Sequence, residues 1–132
     1  MKNRALQVYV IDDDPIALRM IEAVLRSLGH EVKTRDHALG SLSAVLRDRP
    51  DLVVIDLAMP GLSGAGLADL IQKASQKAGR RIGIVVCSGA PQPELEAAAA
   101  RIGAAGAVAK NSGAAELRAG FAAILSRLEP AT

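Results

Sequence analysis

The feature that most constrains this 132-residue chain is an alternation between two hydrophobic textures. Short β-rich runs stand at Leu6–Ile11, Val32–Thr34, Leu52–Ile55, Ile82–Cys87 and Ala107–Ala109. Between them lie longer stretches with helical spacing. Ile16, Met20, Ile21, Val24, Leu25 and Leu28 fall on one helix face, with Asp14 as cap, Pro15 in the first turn and Gly29 as the stop. Further helices are predicted over Ala38–Arg49, Gly64–Ala78, Pro93–Gly103 and Gly113–Leu128. Five strands each followed by a helix, three of the strands almost wholly apolar, predict an α/β fold with a parallel sheet covered on both faces. Right-handed crossovers leave few topologies. The least marked strand is Ala107–Ala109, which is short and rich in alanine.

In an open parallel sheet, ligands bind beyond the carboxyl ends of the strands. Strand one ends in Asp12 and Asp13, strand three in Asp56, strand four in Ser88 and strand five in Lys110. Strand two ends in Thr34 and Arg35 and adds no obvious chemistry. Three carboxylates within roughly 5 Å of one another would repel by about 3 kcal/mol per pair at an effective dielectric near 20. Such a cluster calls for a cation. Oxygen-only ligands favour Mg²⁺, which keeps several waters and leaves positions for a phosphate oxygen. Lys110 adds positive charge, and Ser88 a hydroxyl that can donate to an anion. Together these groups make an aspartyl-phosphate site, with a carboxylate as nucleophile and the metal and lysine stabilising charge on the transferring group.

Composition narrows the alternatives. Half of the residues are apolar, which is enough for one domain's core. Neither a linker nor a repeat divides the chain, so 1–132 is expected to be a single domain with its core at about 5–128. Sixteen basic against 14 acidic residues, evenly spread, argue against nucleic acid or an anionic membrane as partner. Tyr9 and Phe121 are the only aromatics, so stacking platforms for bases are missing. No signal-peptide pattern or bilayer-length apolar run is present, and the single cysteine, Cys87, rules out an internal disulfide. A cytoplasmic setting is expected.

The sequence resembles the receiver domain of two-component response regulators over essentially its whole length. The resemblance rests on VYVIDDDP (8–15), LVVIDLAMPGLSG (52–64), IVVCSG (84–89) and GAVAK (106–110). It implies a flavodoxin-like fold with strand order 2-1-3-4-5. It further implies that Asp56 is the phosphoacceptor, and that Asp13 and Asp56 bind Mg²⁺ with Asp12, which acts directly or through water. The main-chain carbonyl of Ala58 completes the protein ligands. Ser88 would bind a phosphoryl oxygen, and Lys110 would pair with phosphate or with Asp56. The implied partners are a histidine kinase or histidine phosphotransfer protein and a downstream protein of unknown identity; a homodimer is left open. Such a chain is not an enzyme beyond its own phosphorylation and slow dephosphorylation.

Several positions depart from the family pattern. Ala107 stands where an aromatic is common, and Asn111 where a cis proline commonly follows the lysine. Ala58 and Ala90 occupy the two positions that tune dephosphorylation, and neither can orient a water with its side chain. Helix four carries the smooth run Ala97–Ala100. Other residues carry structure: Asp14 as a cap, Gly61 and Gly64 as turn residues, Cys87 as a buried small apolar group. His30 and His37 have no ligand spacing. Three alternatives stand beside this reading. A haloacid-dehalogenase type of enzyme would use Asp12 and Asp14, but Ile16 replaces the expected Thr or Val, and the later acids and a cap are missing. A receiver-fold module could work without phosphate, and the chain could be a fragment of a larger regulator or hybrid kinase.

Overall fold

Strands and helices alternate throughout: β1 (Gln7–Ile11), α1 (Pro15–Ser27), β2 (Glu31–Arg35), α2 (Ser41–Asp48), β3 (Leu52–Ile55), α3 (Gly64–Lys77), β4 (Gly83–Ser88), α4 (Gln92–Ile102), β5 (Gly106–Ala109) and α5 (Ala114–Leu125). The computed structural model describes residues 5–58, 64–79, 81–111 and 113–128. The strands form one parallel sheet in the order β2-β1-β3-β4-β5. That is the order the resemblance implied.

Period-2 alternation along the strands builds two cores. Val8 and Val10 of β1, Val54 of β3 and Val85 of β4 join Ile21 and Leu25 of α1 and Leu117 and Phe121 of α5 on one face. Tyr9, Ile11, Val53, Ile55, Ile84 and Val86 face the other way, against Val45 of α2, Leu67 and Ile71 of α3 and Ala99 of α4. The two aromatics thus serve opposite faces, and both are buried. β3 is buried at all four positions, as a central strand with helices on both sides must be.

Most element ends fall within two residues of the sequence expectation, and the larger shifts have local causes. α2 begins at Ser41 instead of Ala38, because Gly40 takes a left-handed conformation (φ 80°) that breaks the helix before it. Arg35 holds that turn, with its guanidinium donating to Leu39 O at 3.2 Å and to Ser41 Oγ at 2.8 Å. α2 then stops at Asp48, one residue short, since Pro50 disfavours a helical Arg49, which lies at φ 52°. α5 ends at Leu125, three residues early. There the Ser126 hydroxyl donates to Ala123 O at 2.9 Å and offers the chain an alternative to helix. Asp14 caps α1 as expected, accepting from Ile16 N at 3.1 Å. Gly64 is the first residue of α3, and Gly61 lies outside the described residues. No helix among the described residues is long and apolar enough to cross a membrane.

Candidate functional site

The sheet register assembles the polar residues. β1 and β3 pair through Ile11 and Ile55, so the next residues, Asp12 and Asp56, leave the sheet side by side. Asp56 N donates to Ile11 O at 3.1 Å and Asp12 N to Arg35 O at 3.1 Å, which pins both backbones to neighbouring strands. On the other side of β3, Ile55 pairs with Val86, and Ser88 closes β4 two residues further on. Lys110 follows β5, and its N–H donates to Ser88 O at 2.7 Å.

Asp12 and Asp56 are both buried, at 1% and 4% exposure. Each places one oxygen against a main-chain N–H: Asp12 Oδ1 accepts from Asp14 N at 2.9 Å, and Asp56 Oδ1 from Ala58 N at 3.0 Å. Each turns the other oxygen toward Lys110. The ammonium donates to Asp56 Oδ2 at 2.8 Å and stands 2.8 Å from Asp12 Oδ2. The contact with Asp12 is an ion pair without hydrogen-bond geometry, and Asp12 Oδ2 is a buried oxygen that no hydrogen bond reaches among the described residues. Lys110 therefore bridges two carboxylates, where the sequence had offered Asp56 or phosphate.

The charges respond to this arrangement. Burial raises the Asp12 carboxyl above its ordinary value, opposed by Lys110 and the Asp14 N–H and reinforced by the Asp56 charge. Burial on its own would lower the Lys110 ammonium. The close negative charges of Asp12 and Asp56, with the hydrogen bond to Asp56, overcome that and hold it well above its ordinary value. Lys110 is thus a fixed cation at any physiological pH. Cys87, one residue before Ser88, has its thiol pushed up to about 12, chiefly by burial. It behaves as the inert small apolar residue its position suggested.

Ligand oxygens of Asp12, Asp13 and Asp56 all lie within 4.8 Å of one another, with Asp13 exposed to solvent. One ammonium against three carboxylates leaves excess negative charge. These oxygen donors, all carboxylate and carrying that excess charge, fit a hard divalent cation. Ala58 is exposed and Ala90 half-buried. Ala107 is half-buried and packs at the border of the second core. No cis peptide occurs among the described residues, so the Lys110–Asn111 bond is trans.

These features sit within a wider likeness. Residues 8–122 match the family model described as the response regulator receiver domain. The chain belongs to that family. Among relatives, the DNA-binding response regulator MtrA of Mycolicibacterium smegmatis is 33% identical over 75 residues, covering 57% of this chain and 33% of MtrA. The sensor histidine kinase GacS of Pseudomonas protegens is 31% identical over 86 residues, which are 64% of this chain and 9% of GacS. The receiver thus spans a third or less of these relatives. The chemotaxis response regulator CheY4 of Vibrio cholerae superposes with a TM-score of 0.78 over 92% of this chain and 99% of its own, at 21% identity. That likeness establishes the shared fold.

Two features of the receiver's site went unread in the sequence. The approach of Lys110 to Asp12 depends on the distance between β1 and β5, which no local motif encodes. Gln92, at the start of α4, bonds both Ala107 O and Ala109 N. A glutamine between two prolines carries no signal for that role.

Proposed function

We propose that residues 1–132 form a single receiver domain that accepts a phosphoryl group on Asp56 from a histidine kinase or histidine phosphotransfer protein. The observation that carries this reading is the hydrogen bond of 2.8 Å from Lys110 Nζ to Asp56 Oδ2, made by a carboxylate buried to 4% exposure beyond a central strand. Burying a carboxylate costs stability unless it is paired and hydrogen-bonded. Here the carboxylate is held by one lysine and one main-chain N–H, while the neighbouring Asp12 and Asp13 add the negative charge that would attract a divalent cation.

In the step itself a carboxylate oxygen of Asp56 attacks phosphorus. The P–N bond to the donor imidazole breaks, the O–P bond of an acyl phosphate forms, and the departing imidazole takes up a proton. Lys110 stays protonated and balances charge on the transferring group, and the Ser88 hydroxyl donates to a phosphoryl oxygen. Asp12, Asp13, Asp56 and the Ala58 carbonyl would hold Mg²⁺, which when bound supplies charge neutralisation for the phosphoryl oxygens. The added charge of about −1.5 to −2 then reorders nearby loops and alters a protein-binding surface. The downstream partner is a protein, and the setting is cytoplasmic.

Incubation with Mg²⁺ and acetyl phosphate, read by intact mass beside an Asp56→Asn control, tests this. One added phosphoryl group in the unaltered protein alone is expected. Addition to both would move the acceptor elsewhere. Addition to neither, with a cognate donor also tried, would leave a receiver fold that works without phosphate.

A further inference from the structure

The outer edge of β5 is closed by a side chain instead of a strand. In a parallel ladder, a residue donates its N–H to one carbonyl of the neighbouring strand and accepts from the N–H two residues further on. The Gln92 amide does this to β5: Nε2 donates to Ala107 O at 3.0 Å, and Oε1 accepts from Ala109 N at 3.1 Å. Val108, between them, pairs with Cys87 on the opposite side. Gln92 thus occupies the position of a residue in a sixth strand. Its Nε2 also donates to Glu96 Oε2 at 3.1 Å, one helical turn along α4, which fixes the amide's orientation.

β5 depends on such a tie more than its neighbours do. It has four residues, and only Val108 is fully buried. Gly106, Ala107 and Ala109 have little side-chain surface with which to hold a position. Yet this strand delivers Lys110, whose ammonium must meet two carboxylates at 2.8 Å. The backbone entering the site is gripped from one side by the bond of Lys110 N to Ser88 O at 2.7 Å, and from the other by Gln92 on Ala109.

We propose that Gln92 is a positioning residue for phosphoryl acceptance: its amide serves as the missing sixth-strand residue that fixes β5, and so sets where Lys110 presents its ammonium to Asp56. The inference rests on Asp56 being the acceptor. A lesser role, covering an exposed edge against association, would change stability or solubility but leave the rate of phosphorylation alone.

Gln92→Ala and Gln92→Glu separate the two roles. The rate of phosphorylation by acetyl phosphate with Mg²⁺ is measured from pH 5 to 8 and expressed as a ratio to the unaltered protein at the same pH. Amide exchange at Ala109 and thermal melting are followed in parallel. Gln92→Ala is expected to slow phosphorylation by about tenfold at every pH, the scale of a modest misplacement of a reacting group, with faster exchange at Ala109. A neutral glutamic acid has the shape of the amide, with an O–H for Ala107 O and a carbonyl for Ala109 N. Ionised, it has no donor and faces both Ala107 O and the Glu96 carboxylate. The ratio for Gln92→Glu should therefore match Gln92→Ala at pH 8 and climb toward one as pH falls. Ratios near one for both variants, with Ala109 exchange raised, would reduce Gln92 to an edge cover and overturn the proposal. A Gln92→Glu ratio that ignores pH would overturn it too. Failure of the underlying reading is distinct: the unaltered protein would then take up no phosphoryl group, or Asp56→Asn would take one up as well, and the proposal would fall with it.

Discussion

Lys110 Nζ stands 2.8 Å from Asp12 Oδ2, a buried oxygen reached by no hydrogen bond among the described residues. The ammonium therefore supplies charge at an oxygen that is also an implied ligand of a divalent ion. A unit charge about 5 Å from another is worth roughly 3 kcal/mol at an effective dielectric near 20, before relaxation. Lys110→Met should accordingly tighten Mg²⁺ binding, by about tenfold once relaxation is allowed for, while slowing phosphorylation. Calorimetric titration with Mg²⁺ checks this without reference to activity. Unchanged or weaker binding would mean that lysine and ion do not compete for the same field.

Loss of the phosphoryl group should be slow. Ala58 offers Asp56 a main-chain N–H at 3.0 Å, but its side chain is a methyl group facing solvent. Ala90, after β4, is half-buried and equally unable to orient water. Placing a polar group at the first position supplies that function, and positioned general acids and bases contribute about a hundredfold or more. Ala58→Asn, an imperfect substitute, should shorten the phosphoprotein's half-life by about tenfold. Decay of the phosphorylated mass after removal of the donor is the measurement. A half-life of seconds in the unaltered protein would sink the idea.

What was legible in the sequence had a local cause. Asp12, Asp56 and Lys110 each follow directly on an apolar run, so strand ends and chemistry could be read together, and the register then brought them to one edge. Asp14 announced itself as a cap through Pro15. What escaped depends on distances across the sheet or on one backbone angle. The bridge from Lys110 to Asp12 spans β5 to β1, and the Gln92 amide meets Ala107 and Ala109 fifteen and seventeen residues away. The late start of α2 turns on a single left-handed Gly40 in a stretch whose apolar spacing continued past it.

Gly106 of β5 lies directly against the Ile124 side chain of α5. A Cβ built there would lie 2.6 Å from Ile124 Cδ1 and 2.8 Å from Cγ1, inside any ordinary contact. Overpacking of this kind typically costs about 1–3 kcal/mol. Gly106→Ala should destabilise the protein by that amount. Ile124→Val removes the Cδ1 methyl and should recover part of the loss when the two are combined. Urea unfolding of the single and double variants forms the cycle. Simple additivity would show that the clash is relieved elsewhere.

His30 should make the fold sensitive to mild acid. Its Nδ1 accepts a hydrogen bond from Leu6 N at 3.0 Å, just before β1, which requires that nitrogen to be unprotonated. Burial holds the imidazole below its ordinary value of 6.5. The unfolded chain therefore binds the proton first as pH falls. Stability is fully present above about pH 6.5, declines between there and the lower folded-state value, and levels off below it. His30→Asn can still accept from Leu6 N but does not titrate, so its unfolding free energy should lose this decline between pH 7 and 5. His37 is exposed and pairs with Asp36 at 2.6 Å, so His37→Gln should keep it. Urea unfolding at a series of pH values separates the two. An unchanged slope in His30→Asn would place the acid sensitivity among the carboxylates instead.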